Sequence, residues 1–324
     1  MRPAWNNDAN LRNLKLALLD VALSNGQLVR GRQTPFAIVL DGEAPRYADS
    51  LAGIPVPFAF LVDGIFLALP TDFGPEWGVE TCKAVQSNAD LSKVVPTVMA
   101  RLLESLRRLV SEQVERGSGS KDAAKQIQAL EDAAAIVSMS LSKELGGTED
   151  EVRALFALSG LDWAAYIAQA AVESVLTRSL PEPKTMLDAD KKRIASQREA
   201  NAQAAGMAAL TAIRAAVELF VADAKSVALA SQANDLPSVR LAEENARGIF
   251  FTGLAEALSE AVLAAPNAAW HSRVFGGGKS GGTSFGVTSV LQRLKARWSP
   301  VSEGNSVSVD GVQEGGVETV GDQK

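Results

Sequence analysis

Two spacings of apolar residues divide this chain. In the first, Leu11, Leu14, Leu18 and Val21 advance by threes and fours, the repeat of one helix face. Asp8 before them and Gly26 after them supply the caps, so a helix is predicted over Ala9–Ser24. Between residues 35 and 70 the repeat gives way to short, unbroken apolar runs. Residues 36–40 end at Asp41-Gly42, and residues 58–62 and 65–69 flank Asp63-Gly64. Two such runs around Asp-Gly are the strongest short-range sign of a β-hairpin, so a small antiparallel sheet of two or three strands is expected here. Pro45, Pro55 and Pro57 keep the connecting segment out of regular structure, and residues 73–78 read as a closing turn.

From residue 91 to residue 265 the threes and fours return. Val98, Leu102, Leu106, Leu109 and Val110 predict a helix with Pro96 in its first turn. After a turn at 117–120, Ile127, Leu130, Ala134, Val137 and Leu141 predict a second, stopped by Gly146-Gly147. Thr148 and Glu151 have the spacing of a capping box for a short helix ending at Gly160, and Asp162 caps another that Pro181 and Pro183 end. Residues 188–234 contain no proline. Leu210, Ile213, Val217, Phe220, Ala224 and Val227 form one narrow stripe there, the interaction seam of a helical hairpin or coiled coil. Such a helix would run roughly 60–70 Å. The last large helix is predicted over 239–265, with Val239, Ala242, Ala246, Phe250, Leu254, Ala257 and Ala261 inward. Gly248 and Gly253 inside it cost about 1 kcal/mol each relative to Ala and predict close approach by a neighbour.

The expected fold is therefore mainly α. An elongated helical bundle with long antiparallel helices covers 91–265, and a small N-terminal subdomain with a helix and the β-hairpin covers 1–90. A Gly-rich hinge with a basic amphipathic segment follows over 266–300, and a disordered acidic tail over 301–324.

Composition sharpens this picture. Only 6% of the 324 residues are aromatic and alanine supplies much of the apolar fraction, so the core must form by close approach of helices. The single cysteine, Cys82, rules out an intramolecular disulfide and argues against a zinc cluster. No unbroken run of eighteen apolar residues occurs, so no transmembrane helix is expected. Asp20 interrupts the first apolar stretch and no small-residue cleavage site follows, so no signal peptide is expected either. The expected location is the cytoplasm or the interior of a large assembly.

Net charge is −6, which argues against coating nucleic acid with the whole surface. The charge is unevenly placed. Residues 34–80 carry a balance of −6, residues 266–300 a balance of +5, and the last 24 residues −4.

Candidate chemistry is sparse. Gly278-Lys279-Ser280 resembles the end of a phosphate loop, but Arg273 stands where the first glycine is required and no strand precedes it. His271, the only histidine, has no carboxylate nearby in sequence, and Cys82 reads as a small buried apolar residue. Asp41/Glu43 and Glu243-Glu244 read as solvated charges, and no metal-ligand spacing occurs. Lys191-Lys192-Arg193 with Arg198 opens the long helix, where positive charge opposes the dipole; a solvated face is favoured over a phosphate contact. The best partner-binding segment is 284–298. Val287, Val290, Leu291, Leu294 and Trp298 lie opposite Arg293, Lys295 and Arg297, which suits an acidic protein patch, a nucleic acid, an anionic membrane or the chain's own bundle.

The expected function is a non-enzymatic structural or assembly protein, of the kind found in a virion, that self-associates or scaffolds a larger complex. Its basic segment is expected to dock on the acidic subdomain of a neighbour, head to tail. The alternatives are an adaptor that binds nucleic acid or an anionic membrane through 284–298, and an enzyme using N-terminal carboxylates. No cofactor, metal or small-molecule substrate is expected; the expected partner is a second copy or other proteins of the assembly.

Overall fold

The computed structural model describes residues 3–29, 33–142, 163–176, 188–231 and 236–267. Among these the protein is mainly helical, with ten α-helices and no strand. They are α1 (Ala9–Ser24), α2 (Pro35–Val39), α3 (Ala48–Ala52), α4 (Val56–Ala68), α5 (Gly74–Ala84), α6 (Val94–Glu115), α7 (Ala123–Ser142), α8 (Trp163–Leu176), α9 (Asp188–Ala230) and α10 (Leu236–Leu263). The predicted capping box at 148–151, the glycine hinge, the basic segment at 284–298 and the tail at 301–324 lie outside the described residues.

Helices α6 to α10 stand close to where their patterns predict them, with much of each defining stripe of α6, α7, α9 and α10 turned to the core. Val98, Leu102, Leu106, Leu109 and Val110 of α6 are all buried. The chain turns at Gly117, whose φ of 72° suits glycine, and α7 packs extensively on α6 with Leu130 and Val137 buried. Helix α10 returns along α9. Glu218 pairs with Arg247 and Lys225 with Glu243, and the Phe220 and Phe250 rings lie 5.2 Å apart. Gly248 is buried, but a Cβ at Gly253 would meet nothing within 4 Å, so the close approach predicted there is absent.

The N-terminal region corrects the expectation. The predicted β-hairpin is one helix, α4, which runs through Asp63-Gly64 without interruption. Both flanking runs are apolar on every side, and a buried helix then carries the same local pattern as a buried strand. The surroundings decide between them: Phe58, Leu61, Val62 and Ile65 are fully buried among neighbouring helices. Gly64 serves that packing instead of a turn. A Cβ there would collide with the Leu210 side chain, so glycine lets α9 cross α4 closely. Gly206 of α9 does the same for Phe60, whose ring would lie 2.7 Å from an added Cβ.

The run at 36–40 is also helical. Thr34 is the N-cap of α2 and accepts the Ala37 N–H at 3.2 Å, with Pro35 in the first turn. Residues 73–78 open α5 instead of closing a turn, with Pro75 at its start. Pro57 likewise begins α4, where a missing N–H costs no hydrogen bond.

Helix α1 forms as predicted, and Asp8 caps it by accepting the Asn10 and Leu11 N–H groups at 2.8 and 3.1 Å. Its rotation is the reverse of the expected one. Leu16, Leu19 and Ala22 are buried, and Leu14, Leu18 and Val21 face outward. Contacts at the end of α5 hold it so: Arg12 donates to the Val85 and Lys83 carbonyls at 2.8 and 2.6 Å, and Trp5 Nε1 donates to Val85 at 3.1 Å. A guanidinium on the last carbonyls of a helix is favoured by the dipole as well as by hydrogen bonding.

Candidate functional site

Helix α1 carries a surface that the described fold leaves uncovered. Leu14, Leu18 and Val21 are 59%, 40% and 55% exposed, and their spacing places them on one face. A single exposed leucine is ordinary; three in register make a stripe. Exposed Asn10, Asn13, Ala17 and Ser24 surround it without adding charge. The charged groups turn to the flanks, where Lys15 meets Asp41 at 2.6 Å and Lys83 bridges Asp20 at 2.8 Å. Chemically this is an apolar helix face edged by lysine–aspartate ion pairs.

Asp63 is the second feature, and sequence reasoning missed it by assigning it to a turn. It is 7% exposed; one carboxylate oxygen accepts the Thr34 hydroxyl at 2.6 Å and the other the Phe36 N–H at 3.0 Å. A side chain in the middle of α4 thus satisfies orphan donors at the start of α2. Burial pushes its carboxyl up to about 7, against the opposing pull of the Thr34 and Phe36 bonds. Cys82 is 1% exposed, and burial, then the Asp63 charge, push its thiol up, the reverse of what a nucleophilic cysteine needs. Trp77 Nε1 and Thr81 Oγ1 are buried with no hydrogen-bond partner among the described residues. One signal could have found Asp63: a carboxylate inside an all-apolar run must be paired or neutralised if that run is buried.

An apolar groove of about 280 Å³ lies between the end of α1 and the start of α5, lined by Leu23, Leu28, Val29, Phe66, Leu69 and Pro75 among others. Thr71 supplies its one side-chain polar atom among the described lining residues. Ligand pockets of this size orient their occupants with several convergent polar groups, and this groove offers few.

The predicted seam of α9 is graded along its length. Ile213 and Val217 are buried, Leu210 is half-buried in the notch over Gly64, and Phe220 and Ala224 are half-buried. Val227 is 44% exposed. The predicted binding residues Leu291, Arg293, Leu294, Lys295, Arg297 and Trp298 lie outside the described residues, as do His271 and the side chains of Lys191 and Lys192. The N-terminal carboxylates are dispersed: Asp41 pairs with Lys15, Asp20 and Glu80 share Lys83, and Asp63 is enclosed. Among the described residues no three His, Cys, Asp or Glu side chains are grouped to hold a metal.

The expectation of no transmembrane helix is not confirmed. Arg193–Ala230 is long and apolar enough to cross a bilayer, with a mean hydropathy of 1.6 over its most apolar window, 44% of which is buried in the fold. A search for unbroken apolar runs passes over it because occasional charges such as Arg214 and Glu218 interrupt an alanine-rich stretch.

Comparison with known proteins gives no match: no family model, no curated protein and no solved structure matches this chain.

Proposed function

We propose that this chain is a non-enzymatic assembly protein that joins copies of itself, or scaffolds other proteins, through helix faces. The observation that supports the reading is the uncovered Leu14–Leu18–Val21 stripe on a helix whose opposite face is locked into the core. These three aliphatic side chains are already about half covered, so covering the rest contributes roughly 1 kcal/mol each, from which the entropy of association is subtracted. In this reading α6–α7 and α9–α10 are the long antiparallel members of an elongated bundle, and α1 is its docking face. The dispersed carboxylates and enclosed Asp63 favour it over an enzyme.

A second reading, an adaptor on an anionic membrane or nucleic acid, draws on the hydropathy of Arg193–Ala230 and on the cations of residues 284–298. Sedimentation of the full chain over a wide concentration range, beside Leu18→Glu, tests the first reading. The mean mass of the wild type should rise with concentration while the variant stays monomeric. A wild type that is monomeric throughout, yet floats with anionic vesicles, would replace the first reading with the second.

A further inference from the structure

The chain leaves the described structure beside α1. Asn267 forms a β-bridge with Ala89, and the Pro266 carbonyl accepts the Asp90 N–H at 2.8 Å. The Ala89 carbonyl in turn accepts the Ala4 N–H at 3.1 Å, only a few residues before α1 begins. Sixteen residues then separate Asn267 from Ser284, a reach of roughly 50–60 Å when extended. Helix α1 is about 24 Å long at 1.5 Å per residue, so every point on it is within range.

The pattern of residues 284–298 matches what α1 lacks. Val287, Leu291, Leu294 and Trp298 advance by four, three and four, against three, four and three for Leu11, Leu14, Leu18 and Val21. Two stripes of this kind form the seam of a helix pair. Their edges complement one another as well. Arg293, Lys295 and Arg297 would meet Asp20 and Asp41, whose side chains are 52% and 70% exposed and each hold a single lysine. The acids of residues 34–80 other than the enclosed Asp63, against the balance of +5 over 266–300, supply the same attraction at longer range.

We propose that residues 284–298 dock on the Leu14–Leu18–Val21 stripe of their own chain and cover it. The tether decides between the same chain and a neighbour, because it holds the segment at an effective concentration in the millimolar range, above that of other copies in dilute solution. Docking and assembly then compete for one face, so undocking the segment frees α1 for a partner. This rests on the reading of that stripe as a docking face.

The test uses the full chain with Ala17→Cys and Lys295→Cys, and a second version with Asn13→Cys and Gln292→Cys, each treated with a short bis-maleimide at low concentration. Cys82 is 1% exposed and contributes little background. A link within single chains is expected in at least one version. Adding Leu18→Glu should reduce it by about tenfold or more, the factor that about 1.4 kcal/mol of lost docking produces. Cross-linked dimers in place of linked monomers, or no link in either version, would overturn the proposal. Leu291→Glu with Leu294→Glu should in addition shift self-association to lower concentration. If the internal link forms but Leu18→Glu leaves self-association unchanged, the assembly reading fails and this one stands.

Discussion

Two stripes with the same spacing have opposite fates in this protein. In the middle of the α9 stripe Ile213 and Val217 are 3% and 5% exposed, although Val227 at its end is 44% exposed; on α1 the described helices leave Leu14, Leu18 and Val21 uncovered. Residue type and periodicity barely differ. The neighbours do. Helix α9 lies against α4, α8 and α10, and Gly64 and Gly206 let it approach α4 closely. Helix α1 is held on one side only, where Arg12 and Trp5 bond the end of α5 and roll Leu16 and Leu19 into the core. A heptad stripe therefore states that a helix has a face to cover, and leaves open which molecule covers it.

The largest expected effect tests the buried stripe. Ile213→Ala should lower the free energy of unfolding by about 2–4 kcal/mol in urea titration, the usual range for truncating an enclosed aliphatic side chain. A loss as small as that of an α1 variant would erase the contrast between the two helices.

Asp63 sharpens the comparison from the side of α4. Its folded carboxyl holds a proton up to about 7, above its ordinary value of 3.8, so the folded state binds the proton more tightly than the unfolded state. The stability this supplies is full below pH about 4 and is lost as pH rises towards 7. Relative to Asp63→Asn, the wild type should lose on the order of 1–3 kcal/mol between pH 4 and pH 8, read from melting temperatures across that range. Parallel pH profiles would show that Asp63 is not the titrating group.

The glycine notch gives a smaller change of definite sign. Gly206→Ala adds a methyl that meets the Phe60 ring, so it should destabilise by about 1–2 kcal/mol although alanine favours a helix. A stabilised variant would mean that α4 and α9 can separate without cost. Least of all, Leu18→Ala made in the undocked Leu291→Glu/Leu294→Glu chain should cost below about 1 kcal/mol, since its side chain is 40% exposed among the described helices. A larger loss there would mean that α1 is covered by something other than residues 284–298.

The described helices α6, α7, α9 and α10 were legible from local pattern to within a few residues, because the apolar repeat of each records much of its direction of burial. Asp8 and Gly117 signal their local roles in the same way: cap and turn chemistry depends on atoms a few positions apart. Residues 35–84 were not legible. There Asp63 and Gly64 act on Thr34, Phe36 and Leu210, partners distant in the chain, and a carboxylate or a missing Cβ has the same sequence signature in a turn as in a packed helix.

The candidate surface divides along the same line. The sequence alone determined that Leu11, Leu14, Leu18 and Val21 share one helix face, since helical geometry follows from spacing. That the described helices leave Leu14, Leu18 and Val21 of this face uncovered follows from tertiary packing alone. Burial energy is nearly independent of which apolar stripe is covered, so a few directional bonds, from Arg12 and Trp5 to the end of α5, were enough to choose the other side.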